Sequence, residues 1–393
     1  MRRLVLLAVL LVVPAASAAT GPTNGCPVPC SGQVASPADD RLLFVQPAGV
    51  PGPVAAYDTG TGRLRFLLPA GITAADGRLH YSAKTGAAGG ADRVGTVVSR
   101  HTVRSGALED SFLLDGRWRL AGVSPTGRYV ALSRRSADRS RTWIEIRSAS
   151  GRPAHSLALR GDFEVETVSR DGERLFLIQH LRGNEPPRYL VRLFDLTRQR
   201  LASAPLRGKG EPSVMAGLAW SGIGSPDGRW LLTLYLNTSR SVAFVHALDL
   251  VRSSPLCIFL PTGDSFDELK SYGLTLAPDG KKLYAANAEL GAVAEIDLTT
   301  RKVVRTVRFA GRSSPAGPLS LSGTISRNGR TLYFSGGRDL YAYDAAYGVF
   351  RGPYRTGGVI SGFGFGAGDK RVHALRADGR LVTFDAATGR ATR

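Results

Sequence analysis

A short hairpin pattern recurs along the whole chain and constrains its fold more than any other feature. The clearest copy is SPDGRWLLTLYL at 225–236, in which a polar Pro-Asp-Gly turn leads into an apolar, strand-like run. Asp-Gly between apolar runs is the strongest short-range hairpin signal, because glycine adopts a positive φ without a steric penalty. Further copies stand at 36–45, 74–82, 124–132, 169–178, 277–286, 326–335 and 366–375. The chain therefore contains eight copies of one hairpin.

The spacing of these copies is typical of one fold class. Six turn glycines stand at positions 77, 127, 172, 228, 280 and 329, so that successive copies are 50, 45, 56, 52 and 49 residues apart. Each hairpin is followed by a strand-like run that ends in Asp and then by another strand. Repeats of about 40 to 50 residues with four strands each are typical of β-propellers. We predict one all-β propeller over residues 41–393, with eight four-stranded blades, or seven if one weak hairpin does not form its own blade.

The strand that precedes each turn is expected to lie nearest the axis of the ring. Candidates are 118–124, 163–169, 218–225, 272–278, 319–326 and 360–368. In the last of these, Gly362, Gly364 and Gly366 alternate with Phe363 and Phe365, so the three glycines share one face of the strand. Because glycine lets a neighbouring element approach closely, we predict tight packing there in preference to a ligand surface.

Six aspartates end a strand at the same place in their repeats, just before a turn. They are Asp58, Asp195, Asp249, Asp297, Asp344 and Asp385. An Asp side chain in this position accepts hydrogen bonds from the backbone N–H groups of the turn. We therefore predict that these residues organise turns and are not carboxylate sites.

Three longer segments resemble the secreted bacterial YVTN-type and WD-repeat-like β-propellers, which include lactonase-like and TolB-like members. The segments are SPDGRWLL, APDGKKLYAANAELGAVAEIDLTTRKVVRTV and FDAATGR. The YVTN tetrapeptide itself is absent, and its nearest match is YAAN at 284–287. The resemblance implies the propeller fold and a closing blade shared between the chain ends, with 20–40 adding an edge strand to a final blade that lacks its fourth strand. It does not select an activity, because such folds host enzymes, binding modules and scaffolds.

One acidic group on an inner strand is a candidate for chemistry. Glu164 and Glu166 are two residues apart and share a strand face, and Asp162 precedes them. If that face lines the central channel, the three carboxylates could hold a divalent cation through oxygen ligands. The resemblance also implies a metal site here, since lactonase-like propellers bind a metal at acidic channel residues. The alternative is a solvated strand face.

The other candidate residues for chemistry are weaker. Asp267 and Glu268 form a second acidic pair, expected in a loop, and Arg119 or Lys270 are expected ion-pair partners for the acids. The six histidines are spread over the chain without a metal-binding spacing. The motifs G-x-S-x-G, H-E-x-x-H, G-x-x-x-x-G-K-[ST] and C-x-x-C-H are absent. We therefore predict no cofactor other than a divalent cation at Asp162, Glu164 and Glu166.

Residues 1–18 have the pattern of a secretory signal peptide. Arg2 and Arg3 precede the apolar run LVLLAVLLVV, and ASA at 16–18 matches an A-x-A cleavage site. The alternative is a membrane anchor, for which the apolar run is short. We expect an exported protein, secreted or held in the cell envelope, without a membrane span after cleavage.

Two of the three cysteines fall in the irregular segment 19–40. Cys26 and Cys30 are expected to form a local disulfide in the oxidising compartment that a signal peptide implies. A redox or metal site is the alternative, but no second Cys or His pair stands nearby. Cys257 falls in the last strand of the fifth blade, where we expect a buried free thiol.

The chain is strongly basic, with 51 Lys and Arg against 32 Asp and Glu and a formal charge of +19. Loss of Arg2 and Arg3 with the signal peptide would leave 19 − 2, or +17. Such a charge favours anionic partners, although an arginine-rich composition is also typical of a GC-rich genome. The basic residues are scattered and do not interleave with aromatic ones, so a nucleic-acid-binding function is not predicted.

These observations predict a monomeric binding or scaffold module. A protein or an envelope polymer is expected at one end of the ring, because loops carry function on rigid scaffolds. The candidate contact loops are 84–92, 183–188, 209–213 and 262–270. Two alternatives stay open: a lactonase-like hydrolase with a metal near Glu164 and Glu166, and an envelope stabiliser without a small-molecule ligand.

Overall fold

The computed structural model describes residues 41–45, 52–87, 94–183, 188–309 and 323–392. The predicted signal peptide and the segment with Cys26 and Cys30 lie outside these residues, so their predictions stay untested. No helix in the described ranges has both the length and the apolar character needed to cross a membrane.

Eight antiparallel sheets follow one another along the chain, one for each hairpin copy, and they confirm the eight-bladed ring. Blade 1 contains β1 (Leu42–Val45), β2 (Val54–Asp58) and β3 (Leu64–Leu68), and blade 2 contains β4 (Gly71–Thr73), β5 (Leu79–Ala87), β6 (Val94–Thr102) and β7 (Leu108–Asp115). Blade 3 contains β8 (Arg119–Val123), β9 (Tyr129–Arg135), β10 (Arg141–Ser148) and β11 (Pro153–Arg160). Blade 4 contains β12 (Asp162–Val168), β13 (Arg174–Leu181), β14 (Arg188–Asp195), β15 (Arg200–Leu201) and β16 (Val214–Ala216). Blade 5 contains β17 (Leu218–Gly224), β18 (Trp230–Asn237), β19 (Val242–Asp249) and β20 (Ser254–Phe259), and blade 6 contains β21 (Gly273–Leu276), β22 (Lys282–Asn287), β23 (Ala292–Asp297) and β24 (Lys302–Arg308). Blade 7 contains β25 (Thr324–Ile325), β26 (Thr331–Ser335), β27 (Asp339–Asp344) and β28 (Val349–Arg355). Blade 8 contains β29 (Ile360–Phe365), β30 (Arg371–Arg376), β31 (Leu381–Asp385) and β32 (Ala391–Thr392).

Strand order in the sheets sets the two ends of the ring. In blades 2 to 8, the strand before the turn stands at one edge of its sheet, and several of these strands contact their counterpart in the next blade, as β4 does with β8 and β8 with β12. These strands therefore surround the axis, as predicted. Because the strands alternate in direction, the connections between first and second and between third and fourth strands share one end, named here the turn end. The remaining connections form the loop end, where the helix α1 (Phe266–Lys270) joins blade 5 to blade 6.

The repeated turn is held by a small hydrogen-bond network. Ser225 Oγ accepts from the N–H of Trp230 (2.7 Å) and donates to Asp227 Oδ1 (2.5 Å), which accepts from the N–H of Arg229 (3.0 Å). Gly228 has a φ of +74°, which explains why glycine recurs at this position. Ser169 with Asp171 and Ser326 with Asn328 repeat the network.

The six strand-ending aspartates organise turns, as predicted. Asp58 Oδ1 accepts from the N–H groups of Gly60 (3.0 Å) and Thr61 (2.8 Å). Asp195, Asp249, Asp297, Asp344 and Asp385 accept in the same way from backbone N–H groups two or three residues ahead. Because a hydrogen bond to the carboxylate favours its charged form, the N–H of Thr61 lowers the pKa of Asp58.

The core consists of the interfaces between neighbouring blades. Each of the eight interfaces contains a buried apolar cluster. Between blades 5 and 6, for example, Leu232, Leu234 and Val245 pack against Leu274 and Leu283. Stacking of each sheet on the next buries both of its faces, which one blade alone could not do.

Glycines of β29 close the ring against β1. A Cβ at Gly362 would lie 2.7 Å from Val45 Cγ2, and one at Gly364 would lie 2.9 Å from Leu43 Cδ1. The predicted close packing is therefore confirmed at these two positions, whereas Gly366 lies against His373 of its own sheet. The expectation that the final blade lacks a fourth strand is wrong, because β32 at the C-terminus pairs with β31.

Substitution of Gly362 by Ala should weaken ring closure. The new methyl group would overlap the side chain of Val45, and overpacking of this kind costs about 1–3 kcal/mol of unfolding free energy. Gly86→Ala is the matched control, because Gly86 also lies in a strand but has no atom near the new Cβ. We expect thermal unfolding to show a lower Tm for Gly362→Ala only, with recovery in Gly362→Ala/Val45→Ala. An unchanged Tm would contradict this account of closure.

Candidate functional site

Two of the three predicted acids are held by ion pairs. Arg135 Nε lies 3.1 Å from Asp162 Oδ1 and donates to the carbonyl oxygen of Phe163 (3.0 Å), so its contact with Asp162 is ionic. Arg139 Nη1 lies 3.6 Å from the other Asp162 oxygen. Glu164 Oε2 lies 3.6 Å from Arg135 Nη2 and 3.0 Å from His180 Nε2. Basic groups thus occupy the space around these two carboxylates.

These partners differ from the expected ones. Arg135 and Arg139 belong to β9 of blade 3 and the turn after it, and His180 to β13 beside β12. Lys270 pairs with Asp267 of the second acidic pair, as expected, and both lie in α1, which replaces the expected loop. The cause is topological, because strand ends of adjacent blades meet at the loop end even when they are distant in sequence.

Glu166 has a different environment from the other two acids. It occupies a bulge of β12, where the register with β13 shifts between Val165 and Thr167. Its side chain is only 6% exposed, and its Oε2 has no hydrogen-bond partner in the described part of the chain. Burial, together with the nearby charge of Glu164, raises the pKa of Glu166 to about 8. At neutral pH this residue is therefore mostly a neutral carboxylic acid.

Glu166 belongs to a seam of polar groups between blades 4 and 5. Tyr189 of β14 and Tyr235 of β18 stack with their ring centroids 5.1 Å apart. Burial raises the pKa of both phenols well above 10, and the nearby Glu166 carboxylate raises these pKa values further. His246 of β19 lies edge-on to Tyr235, with the centroids 5.9 Å apart. The seam, defined as Glu166, Tyr189, Tyr235, His246 and Cys257, extends outward from the inner strand.

The outer part of the seam consists of His246 and Cys257, which lie opposite each other on adjacent strands. His246 is fully buried, neither of its ring nitrogens has a hydrogen-bond partner among the described residues, and burial lowers its pKa to about 4. Cys257 is a free thiol in the last strand of blade 5, as predicted, but it is half-buried instead of buried. Burial, with a contribution from Glu211, raises the pKa of this thiol to about 12.

The seam is suited to hydrogen bonding and proton storage by neutral groups. At pH 7 its acid, phenols, thiol and imidazole are uncharged in this environment. Within the described ranges, no three His, Cys, Asp or Glu side chains form a group that could hold a metal ion. A cation at Asp162 and Glu164 would also have to displace two arginines. Metal binding at Asp162, Glu164 and Glu166 thus stays a prediction that this geometry does not favour.

The loop end presents an aromatic pair on a fixed support. Phe266 of α1, 36% exposed, packs edge-on against Trp220 of the inner strand β17, with the ring centroids 5.7 Å apart. Trp220 Nε1 donates to the carbonyl oxygen of Lys270 (3.0 Å). Asn287 Nδ2 of blade 6 donates to the carbonyl oxygen of Glu268 (2.7 Å). The helix is therefore attached to both neighbouring blades.

The four predicted contact loops do not all lie at this end. The segment containing α1 does belong to the loop end, whereas 88–92 and 184–187 of the first two loops lie outside the described residues. Segment 209–213 instead interrupts the outer strand of blade 4, between β15 and β16. There Glu211 Oε1 accepts from the N–H of Cys257 (2.7 Å) in the outer strand of blade 5. Part of this segment therefore joins two blades at the rim of the ring.

Comparisons with solved structures agree with this architecture. The dihydro-heme d1 dehydrogenase NirN is 16% identical, with a TM-score of 0.51 over 91% of this chain and 73% of that protein. The Dos1 propeller is 11% identical, with a TM-score of 0.50 over 88% and 90%. The Porphyromonas gingivalis dipeptidyl peptidase 4 is 11% identical, with a TM-score of 0.51 over 91% and 58%. The chain is a β-propeller.

These likenesses show the fold alone, because their sequence identities are low. No protein-family model matches the chain, and no curated protein sequence is significantly similar to it. For this β-propeller the fold resemblance inferred from the repeated hairpins is therefore confirmed, and its activity has to be argued from its own residues.

Substitution of Glu166 by Gln should stabilise the protein in a pH-dependent way. The carboxyl ionises with a pKa near 4.5 when unfolded and about 8 when folded, so the folded state loses stability as pH rises through this interval. Because Gln cannot ionise, the free energy of unfolding of the variant should exceed that of the wild type. The difference should grow from pH 4.5 and level off above pH 8, at about 2–5 kcal/mol. Denaturant unfolding at several pH values measures it. The exposed Glu173→Gln in the same blade is the control, and equal pH profiles for Glu166→Gln and wild type would contradict a neutral Glu166.

Proposed function

We propose that this chain is an exported binding module whose protein partner contacts the loop end of the ring. The observation that carries the proposal is the exposed Phe266, presented by a helix that is attached to blades 5 and 6. Aromatic anchors on rigid supports dominate the energy of many protein interfaces, because little conformational freedom is lost when they bind.

The difference between the two ends of the ring supports this choice. Connections at the turn end are short and repeat one hydrogen-bond network. Among the connections that the structure describes in full, the loop end has one long one, the segment 260–272 with α1, whereas its others are as short as those of the turn end. A long segment of this kind is where rigid scaffolds usually carry recognition. The Ser265 hydroxyl also caps α1 by accepting from the N–H of Glu268 (3.2 Å), so the helix is ordered before a partner arrives.

Substitution of Phe266 by Ser should prevent partner binding without unfolding the ring. The immobilised mature protein is exposed to an extract of the source's cell envelope, and the captured protein is identified and then titrated in purified form. Tyr347→Ser is the matched control, because Tyr347 is a 72% exposed aromatic residue at the opposite end. We expect the Phe266 variant to bind at least about tenfold more weakly and the control to bind normally. Normal binding by the Phe266 variant, with an unchanged circular dichroism spectrum, would contradict the proposal.

Export predicts a defined N-terminus and thiol state. We expect N-terminal sequencing of the protein from its own host to begin at Ala19, after the ASA motif at 16–18. Alkylation of the unfolded, unreduced protein should modify Cys257 only, since Cys26 and Cys30 are expected to be disulfide-bonded. Mass spectrometry with and without reductant measures both properties. A retained Met1, or three alkylated thiols without reductant, would contradict export or the disulfide respectively.

A further inference from the structure

A cleft of about 660 Å³ opens at the turn end, across the turns of blades 2 to 5. Four arginines line it: Arg78 and Arg104 of blade 2, Arg128 of blade 3 and Arg170 of blade 4. All four are exposed, and only two acidic residues, Asp76 and Glu109, share the described lining. The charges of the lining therefore sum to about +2.

Both acids are engaged by groups of the protein itself. Asp76 Oδ1 accepts from the N–H of Arg78 (3.1 Å) as part of the turn network. Glu109 Oε2 pairs with Arg100 Nε (3.1 Å), and its Oε1 accepts from the hydroxyl of Thr102 (2.6 Å). These contacts direct the two carboxylates to fixed partners and leave the arginines as the groups that an incoming ligand would meet.

Two of the arginines are available for a ligand. The guanidinium groups of Arg78 and Arg128 have no hydrogen bond or ion pair with any residue in the described ranges. Each follows the turn glycine of its blade, so the propeller repeat presents both side chains from equivalent positions in adjacent blades. Arg170 Nη1 donates to the carbonyl oxygen of Asp227 (3.2 Å), which fixes a third guanidinium at the edge of the cleft.

The floor of the cleft is rigid and contains an unused polar group. The N–H of Asp76 donates to the carbonyl oxygen of Pro125 (3.0 Å), which joins the turn of blade 2 to that of blade 3. Thr126 also lines the cleft, and its hydroxyl is buried without a hydrogen-bond partner in the described part of the chain. A buried hydroxyl without a partner is unfavourable, and rotation of the Thr126 side chain would let it donate to a ligand in the cleft.

We propose that this cleft binds a phosphoryl group carried by a larger ligand. A single carboxylate has one charge, which offsets only half of the net charge of the lining. A phosphoryl group offers more oxygens and, as a monoester, close to two charges, and arginine matches it with paired N–H donors. The volume is that of a small-molecule site and exceeds what inorganic phosphate fills. The ligand is thus a phosphate monoester, or a polymer of which at least two phosphodiester groups, each with one charge, occupy the cleft together. The site lies at the opposite end from Phe266, so it is independent of the function proposed above.

Titration calorimetry of the mature protein with four probes tests this assignment. The probes are tripolyphosphate, glycerol 3-phosphate, a short poly(glycerol phosphate) and citrate, which matches the charge of a polyanion without phosphorus. The test variant is Arg78→Gln/Arg128→Gln. The control is Arg252→Gln/Arg330→Gln, which removes the same charge from exposed turn-end arginines outside the cleft lining. Arg330 follows the turn glycine of blade 7, so it is the structural counterpart of Arg78 and Arg128.

We expect tripolyphosphate to bind the wild type and the control with the same affinity. It should bind the Arg78→Gln/Arg128→Gln variant at least about tenfold more weakly, because two charge-assisted contacts are lost. Tighter binding of glycerol 3-phosphate than of the polymer would identify a monoester ligand, and the reverse a phosphodiester polymer. Equal weakening in the control would overturn the proposal, because general charge attraction would then explain binding. Citrate binding as tight as that of tripolyphosphate, or no binding of any phosphate probe, would also overturn it. Phe266→Ser should leave all these affinities unchanged, which separates this test from that of the proposed function.

Discussion

Apolar packing between neighbouring blades is the interaction on which the rest of the structure depends. Every interface of the ring contains a buried cluster, and the last one joins Leu43 and Val45 of blade 1 to Leu375 of blade 8. A single antiparallel sheet of this size could not bury both faces, so each blade is stable only between two others. A site of polar and ionisable side chains consequently lies at one of the two ends of the ring, or else its residues are buried in an interface and reduce the stability of the protein.

The interface between blades 4 and 5 is where that cost is incurred. It buries Glu166, His246 and two tyrosines beside apolar residues such as Ile178 and Val191. Charging any of these groups would require hydration that the interface does not provide, so their pKa values move toward the neutral forms. Polar groups that reduce stability without full hydrogen bonding are candidates for function. In this ring they lie next to Glu164 and His180, whose side chains are 16% and 31% exposed.

The sequence predicted the strands and turns well, because local hydrogen bonding determines them. Ser225, Asp227 and Gly228 form one hydrogen-bond network, and the recurrence of this turn pattern in complete or partial form located the blades. The surroundings of Glu164 could not be predicted in the same way. Its partner Arg135 lies in the preceding blade, and the bulge at Glu166 leaves no signal in an alternating pattern. Segment 209–213 was misplaced for a similar reason, since a long insertion in a strand resembles a long end loop.

The repeat also explains why the two ends of the ring suit different ligands. At the turn end, equivalent positions of adjacent blades point the same way, so a basic residue after the turn glycine in two blades, as at Arg78 and Arg128, concentrates charge at one place. Small anionic groups can be recognised by such repetition. At the loop end the connections are dissimilar, and α1 with Phe266 interrupts the symmetry. An asymmetric surface is what distinguishes one protein partner from another, since recognition requires contacts that are not repeated around the ring.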